Sequence, residues 1–240
     1  SFFPAELATL ERLHSPDDIA PSVEVLRRNG IGNMNIDLIF GIPGQTMTTW
    51  CESLRRAIDL GVDHLACYGL TFEPGTRLTA LRKHGRMQPC DEDLETEMFL
   101  ATVDILANAG FEQYEISNYA RPGRPCRHNL IYWRNEPYIG IGPSAVGCVG
   151  GRRYRNAPDF AAYARMVSAN KTRLPSESIS TSVRDGFNRL SSLRVLSPTG
   201  VTAIESTNDI ALAEVESEFI DAQTLLTEMI LMQLRLPEGL

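Results

Sequence analysis

The sequence predicts an α/β fold in which strands alternate with helices. Three observations favour it: short apolar runs with the length of buried strands, longer segments with apolar residues three and four apart, and Gly or Pro turns between them. Alternation of this kind predicts parallel strands joined by right-handed crossovers, either in an open doubly wound sheet or in a barrel. The 240 residues, 43% of them hydrophobic, suffice for one sizeable core.

Local signals place the elements of the first half. Ser15 is a predicted N-cap, Pro16 occupies the first helical position, and Gly30 ends the helix that follows. Gly41 and Gly61 mark the turns of a strand-helix-strand unit. In order, the predicted elements are a helix over residues 5–14, a helix over 15–30, a strand over 33–40, a helix over 47–60 and a strand over 64–70.

The second half continues the alternation and then changes character. Residues 91–109 have an apolar helical face that Gly110 ends, and residues 138–149 are rich in glycine, which favours a buried strand or strand-turn. Apolar residues three and four apart from Leu212 to Met229 favour an ordinary packing helix over a coiled coil, because they span fewer than three heptads. The other predicted elements are a strand over 114–119, a helix over 157–169 and a polar linker over 170–182.

Composition excludes several classes of function. No run approaches the roughly 20 apolar residues that a membrane span needs. The formal net charge of -7 and the pI of about 5.2 argue against general nucleic-acid binding, which leaves a basic footprint. Five scattered cysteines without a Cys-x-x-Cys pair indicate neither a disulfide framework nor a cysteine-ligated metal site, so we expect a cytoplasmic location.

Residues 126–133 (Cys-Arg-His-Asn-Leu-Ile-Tyr-Trp) concentrate the most chemistry. They bring an imidazole, a carboxamide, a phenol and an indole together next to a loop, with many arginines nearby and a single acid, Glu136. Arginine pairs with carboxylates and aromatic rings cover apolar faces, so a flat ligand with carboxylate tails fits, such as a tetrapyrrole with propionates. The arginines are Arg121, Arg124, Arg127, Arg134, Arg152, Arg153 and Arg155.

Individual side chains keep two interpretations at this level. Asp37 interrupts an apolar strand, either as a cofactor hydrogen-bonder or as an acid that caps the next loop. His128 is either a haem-iron ligand or a plain surface residue, and Tyr132 and Trp133 either flank a porphyrin or belong to the core.

Four motifs, in order and with their spacing, resemble a known family. They are Asn-Ile-Asp-Leu-Ile-Phe-Gly-Ile-Pro-Gly-Gln at 35–45, Tyr-Glu-Ile-Ser-Asn-Tyr-Ala at 114–120, His-Asn-Leu-Ile-Tyr-Trp at 128–133 and Gly-Ile-Gly-Pro-Ser-Ala at 140–145. Together they are similar to the radical S-adenosylmethionine proteins related to oxygen-independent coproporphyrinogen III oxidase. The His-Asn-x-x-Tyr-Trp motif resembles the haem chaperone branch rather than the true oxidase.

This resemblance implies a fold and a set of sites. Residues 1–170 are expected to form the C-terminal part of a partial (β/α) barrel, and residues 171–240 a linker and the start of a small, mainly helical C-terminal domain. Arg12, Asp37, Thr71 and Val146 resemble residues that line the S-adenosylmethionine site. His128 resembles the haem-binding histidine and is the candidate ligand of the haem iron, with Asn129, Tyr132 and Trp133 completing the haem motif.

One family feature is missing from the 240 residues. The Cys-x-x-x-Cys-x-x-Cys motif that ligates the family's 4Fe-4S cluster does not occur, and we expect it before Ser1. Residues 234–239 (Leu-Arg-Leu-Pro-Glu-Gly) resemble the start of the C-terminal domain.

The resemblance implies a haem chaperone that binds haem through His128 and delivers it to a haem-requiring acceptor. The alternative is an oxidase that converts coproporphyrinogen propionates to vinyl groups by radical chemistry. A weaker third interpretation, a barrel hydrolase or lyase, has only Asp37 and Glu115 as candidate acid and base. A homodimer is left open, and neither nucleic acid nor a membrane is expected as a partner.

Overall fold

A computed structural model of the chain describes residues 1–171, 214–233 and 235–236. These residues divide into two compact units, Ser1–Asn135 with Glu228–Leu240 and Glu136–Thr227. The predicted linker at 170–182 lies almost wholly outside the described residues. The predicted domain boundary at residue 170 stays a prediction.

The first unit follows the predicted alternation closely. Ser15 caps its helix with a reciprocal capping box, as its side chain and that of Asp18 each accept a backbone hydrogen bond. The helical elements are α1 (Pro4–Thr9), a 3₁₀ turn (Pro16–Asp18), α2 (Ile19–Arg28), α3 (Met47–Asp59), α4 (Arg77–Lys83), α5 (Glu92–Asn108) and α6 (Arg127–Trp133). The strands are β1 (Asn35–Phe40), β2 (His64–Gly69), β3 (Glu112–Glu115) and β4 (Asn118–Ala120).

The four strands form one sheet in the order β1-β2-β4-β3. β1 and β2 are parallel, as predicted, and α3 connects them. The single strand predicted over 114–119 is wrong, because β3 and β4 form an antiparallel hairpin there and β4 also runs antiparallel to β2. The Glu115 carboxylate accepts the Ser117 backbone N–H at 2.7 Å, which stabilises the tight turn between the two strands.

One face of this sheet packs against α3 and α5. Leu38, Phe40 and Leu65 are buried there, together with Trp50 of α3. The Trp50 indole N–H donates to the Met98 carbonyl at 3.1 Å and to the Thr102 hydroxyl at 3.0 Å, so its polar atom is satisfied inside the core. The opposite face of β1 and β2 is therefore the one left for a ligand.

The second unit contains an antiparallel sheet and a helix. Its elements are β5 (Val146–Val149), β6 (Arg152–Asn156), α7 (Phe160–Lys171) and β7 (Glu214–Phe219), with α8 (Ala222–Gln233) following, and the strand order is β5-β6-β7.

Two predictions on this part of the chain are corrected. The Gly-rich segment has the predicted strand-turn, with Tyr138 bridged to Cys148 and a strand from Val146, but it is not buried throughout, because Ile139 and Ile141 are 62% and 83% exposed. The packing helix expected from residue 212, a position outside the described residues, begins only at Ala222, because the alternating sequence Glu-Val-Glu-Ser-Glu-Phe pairs with β6 as a strand. The Asp221 carboxylate accepts the Thr224 backbone N–H at 2.7 Å and so fixes the helix start.

Within the described ranges, no helix combines the length and the apolar character needed to cross a membrane.

Candidate functional site

Strand alternation places the polar side chains of β1 and β2 on the face opposite the core. Leu38 and Leu65 point into the core, so Asn35 and Asp37 point to the other side. His64 is the register partner of Asn35 on β2. Asp37 is exposed rather than buried in a paired state, because β1 is the edge strand of the described sheet and its polar face is open.

A continuous hydrogen-bonded chain starts at Asp37. The side-chain amide of Asn35 donates from Nδ2 to the Asp37 carboxylate at 2.6 Å, and its Oδ1 lies 2.7 Å from His64 Nδ1. His64 Nε2 lies 2.7 Å from the Tyr114 hydroxyl, and the Asn129 amide donates to that hydroxyl at 3.2 Å. The chain therefore connects the acid on β1 with the first turn of α6.

The hydrogen-bond pattern assigns the proton of His64. The side-chain nitrogen of Asn35 donates to Asp37, so its side-chain oxygen faces His64 Nδ1. That oxygen is an acceptor and requires a proton on Nδ1, and Nε2 therefore accepts from the Tyr114 hydroxyl. Burial lowers the pKa of His64, although the negative charges of Asp37 and Glu115 act to raise it. Burial raises the pKa of Tyr114 to about 12. Both groups are therefore neutral near pH 7.

Arg12 and Asp37 line one cavity of about 510 Å³ beside the edge of β1. Tyr68 is part of its wall. Two of the four predicted S-adenosylmethionine contacts are thus brought together. Thr71 is exposed just after β2 and does not line this cavity, and Val146 lies in β5 of the second unit.

A second cavity of about 570 Å³ lies between the polar face of the sheet and the start of α6. Asp37 and His64 line it from the sheet, and Cys126, Arg127 and Asn129 line it from the other side. Asp37 thus faces both cavities, and its carboxylate is the natural contact for a hydrogen-bond donor in either.

The segment that carries His128 is a short helix, α6, and not a loop. His128 is exposed, and its Nε2 lies 3.0 Å from the hydroxyl of Tyr132, one helical turn later. The two rings meet edge to face with centroids 4.8 Å apart. The imidazole is exposed, and a metal that binds it either takes Nδ1 or replaces the Tyr132 hydroxyl at Nε2.

Trp133 is anchored by a residue that sequence reasoning missed. The Arg235 guanidinium lies 4.3 Å from the centre of the Trp133 ring, and one of its nitrogens is 3.5 Å from a carboxylate oxygen of Glu115. Glu115 is only 1% exposed and also accepts from the Ser117 backbone N–H and the Asn118 amide. Both hydrogen bonds fall on Oε1, and Oε2 is the oxygen nearest Arg235, so Glu115 stabilises the β3-β4 turn and holds Arg235.

The arginines do not act as one cluster. Arg121 stacks 4.1 Å from the centre of the Phe111 ring and donates to the Ala109 carbonyl, so it closes the end of α5. Arg124 and Arg127 line the 570 Å³ cavity. Arg152, Arg153 and Arg155 belong to β6 in the second unit.

Comparison with known proteins identifies the family. No protein-family model matches the chain. The haem chaperone HemW of Synechocystis is 38% identical over 148 residues, which cover 62% of this chain and 36% of that protein. The Escherichia coli haem chaperone HemW is 37% identical over 177 residues, covering 73% of this chain and 43% of that protein.

The chain belongs to the HemW branch of the radical S-adenosylmethionine family. A mouse protein named mitochondrial radical S-adenosyl methionine domain-containing protein 1 is 40% identical over 143 residues, covering 60% of this chain and 32% of that protein. The chain spans about two fifths of the length of the two HemW relatives, 36% and 43%.

The fold prediction is also confirmed. The radical S-adenosylmethionine enzyme coproporphyrinogen III oxidase of Escherichia coli superposes with a TM-score of 0.56 at 19% identity, over 70% of this chain and 41% of that one. At this identity the likeness concerns the fold alone. The β1-α3-β2 unit is the part of the first unit that has the parallel arrangement of a (β/α) barrel.

Of the family's two cofactors, the described residues fit one. Arg12 and the open carboxylate of Asp37 in one cavity suit the amino, carboxylate and hydroxyl groups of S-adenosylmethionine. No group of three His, Cys, Asp or Glu among the described residues is able to hold a metal ion, and burial raises the pKa of the Cys67 thiol. Because Fe–S clusters are held by thiolates, these residues do not fit a 4Fe-4S cluster.

Proposed function

We propose that this chain binds haem and delivers it to a haem-requiring acceptor protein. The observation that carries the proposal is the similarity, at 37% and 38% identity, to two proteins named haem chaperone HemW. The geometry of α6 supports the proposal. His128 is exposed on α6 and braced by Tyr132, and a neutral imidazole is a common ligand of haem iron.

The rest of the haem motif has distinct roles in this proposal. Tyr132 fixes the plane of the His128 ring, and Trp133 is held under Arg235 at the end of the same helix. The Asn129 amide donates to the Tyr114 hydroxyl at 3.2 Å, which anchors the first turn of α6, and its contact with haem stays a prediction. Haem binding at α6 therefore depends on how that helix is seated on the sheet.

Arg12 and Asp37 hold S-adenosylmethionine in the 510 Å³ cavity in this proposal. The bound cofactor supplies the radical chemistry of the family when a reduced cluster is present. Thr71 and Val146 stay predicted contacts on the strength of the motifs alone. The 4Fe-4S cluster and a cytoplasmic location likewise stay predictions, and a homodimer stays open.

Replacing Asp37 by asparagine should weaken S-adenosylmethionine binding about ten-fold, since a hydrogen bond to a charged acceptor contributes roughly 1.5–3 kcal/mol and Asp37 is exposed. Equilibrium dialysis with labelled S-adenosylmethionine measures it. Asp59→Asn, at the end of α3, is the matched control and should bind like the wild type. Equal affinity in both variants would show that Asp37 is not a cofactor contact.

The class of function is tested on the full gene product. Incubation with coproporphyrinogen, S-adenosylmethionine and a reductant should give no protoporphyrinogen, whereas haem added to the same preparation should bind and pass to an apo-haem protein. Multiple turnovers of coproporphyrinogen would favour the oxidase alternative instead.

A further inference from the structure

We propose that the chain Asp37-Asn35-His64-Tyr114-Asn129 couples the cofactor cavity to the haem helix, so that occupation of Asp37 weakens haem binding at α6. This inference rests on the proposed function, because it assigns S-adenosylmethionine to Asp37 and haem to His128. It adds a regulation that joins the two sites, with His64 and Tyr114 as positioning residues.

The hydrogen bonds from Asn129 to Asp37 all run in one direction. Every member donates toward Asp37: the amide of Asn129 to Tyr114, the Tyr114 hydroxyl to His64, the Nδ1–H of His64 to Asn35, and the Asn35 amide to the carboxylate. Each donation determines the orientation of the next group, because the Asn35 amide and the His64 ring each present one donor and one acceptor to the chain.

Asp37 is accessible at its end of the hydrogen-bonded chain, whereas His64 is buried. Asp37 is exposed and lines both cavities, and His64 is only 6% exposed. The Asn35 amide bonds to Asp37 Oδ1, so a ligand donor that takes this oxygen competes with Asn35 and frees its amide group. The buried His64, in contrast, has little water with which to replace a lost partner, so it follows any rotation of Asn35.

The chemistry of an amide group permits a second arrangement of the hydrogen-bonded chain. If the Asn35 amide group rotates, its nitrogen faces His64 Nδ1, and the imidazole proton moves to Nε2 by exchange with solvent. His64 then donates to the Tyr114 oxygen and competes there with the amide of Asn129. The first turn of α6 is thereby less firmly held.

The anchor of α6 lies next to the candidate haem ligand. Asn129 directly follows His128, and its side chain bonds to Tyr114 of β3. α6 has only 7 residues, so loss of one anchor in its first turn changes the seating of His128. The two ends of the chain are thus a carboxylate that a ligand contacts and a helix that presents another ligand's binding group.

The test uses the full gene product without reductant, so that no S-adenosylmethionine is cleaved. Soret titration gives the haem Kd with and without saturating S-adenosylmethionine. We expect the cofactor to raise the Kd of the wild type about five-fold or more. Tyr114→Phe cannot donate to His64 or accept from Asn129, so haem alone should bind with a raised Kd. S-adenosylmethionine should still bind, and it should leave that Kd unchanged.

Tyr119→Phe is the matched control, because it removes a hydroxyl from the neighbouring strand β4 whose contact, 3.4 Å from the Gln113 amide, lies outside the chain. It should keep the wild-type ratio. Coupling is overturned if the wild type binds haem through His128 with a Kd that S-adenosylmethionine leaves unchanged or lowers, or if Tyr114→Phe keeps the shift. Absence of any His128-dependent haem binding is a different result, and it overturns the proposed function.

A second measurement needs no haem. In ¹⁵N NMR spectra, His64 should be the Nδ1–H tautomer in the free protein and gain Nε2–H character when S-adenosylmethionine is added. An unchanged His64 tautomer with the cofactor bound would also overturn the coupling.

Discussion

Haem affinity should fall by at least about 100-fold when His128 is replaced by alanine. His128 is the exposed imidazole of α6, and loss of a mere supporting partner of a metal ligand already costs about 10- to 100-fold in metal affinity, so loss of the ligand itself exceeds that range. Because the side chain is exposed, the variant should fold normally. Soret titration of the full gene product measures the affinity.

Two variants control this experiment. His84→Ala removes another exposed imidazole, at the end of α4, whose Nδ1 lies 2.7 Å from the Ala80 carbonyl oxygen, and should bind haem like the wild type. Tyr132→Phe removes only the hydroxyl that lies next to His128 Nε2. Its haem affinity should lie between those of His84→Ala and His128→Ala. If His128→Ala titrates like His84→Ala, His128 is not the haem ligand.

The first unit should lose about 2 kcal/mol of unfolding free energy when Arg235 is replaced by alanine. Removal of one partner of a fully buried ion pair costs roughly 3–5 kcal/mol, and the figure is lower here because Arg235 is 38% exposed while Glu115 is 1% exposed. The variant also removes the guanidinium over the Trp133 ring. Urea unfolding followed by Trp fluorescence measures the change.

Arg77→Ala is the matched control, since Arg77 pairs with Glu11 on the surface, where the two side chains are 73% and 52% exposed. Its loss should cost less than about 1 kcal/mol. In Arg235→Ala/Glu115→Gln the uncompensated buried charge is absent, so part of the stability should return. A loss in Arg235→Ala no larger than in Arg77→Ala would show that the Glu115 pair contributes nothing.

Local sequence signals predicted the first unit well. Strands β1 and β2 and helices α3 and α5 lie within two residues of their predicted bounds, because residues next to each element in the sequence indicate where it begins and ends. Thr46 caps α3 by accepting the Thr49 backbone N–H, and Asp91 caps α5 by accepting from Asp93 and Leu94. Such caps depend on residues that are two or three positions apart in the sequence, so they need no tertiary contact.

The errors occur where strand pairing decides the structure. The β3-β4 hairpin was predicted as one strand, because a two-residue reversal at Ile116 and Ser117 carries no Gly or Pro. The stretch before Ala222 has an apolar spacing that also suits a helix, and pairing with β6 decides for the strand.

The sequence by itself determined the family and singled out Asp37 and His128 as candidate site residues, because the motifs that carry them can be recognised from their order and spacing along the chain. Only the tertiary structure brought His64 to Asn35 and Tyr114, which are 29 and 50 residues away, and Arg235 to Glu115 and Trp133. Hydrogen bonds and ion pairs act over a few ångströms in space, whatever the separation of the two residues along the chain. For that reason the residues that hold the site in place became visible only after the strands were paired.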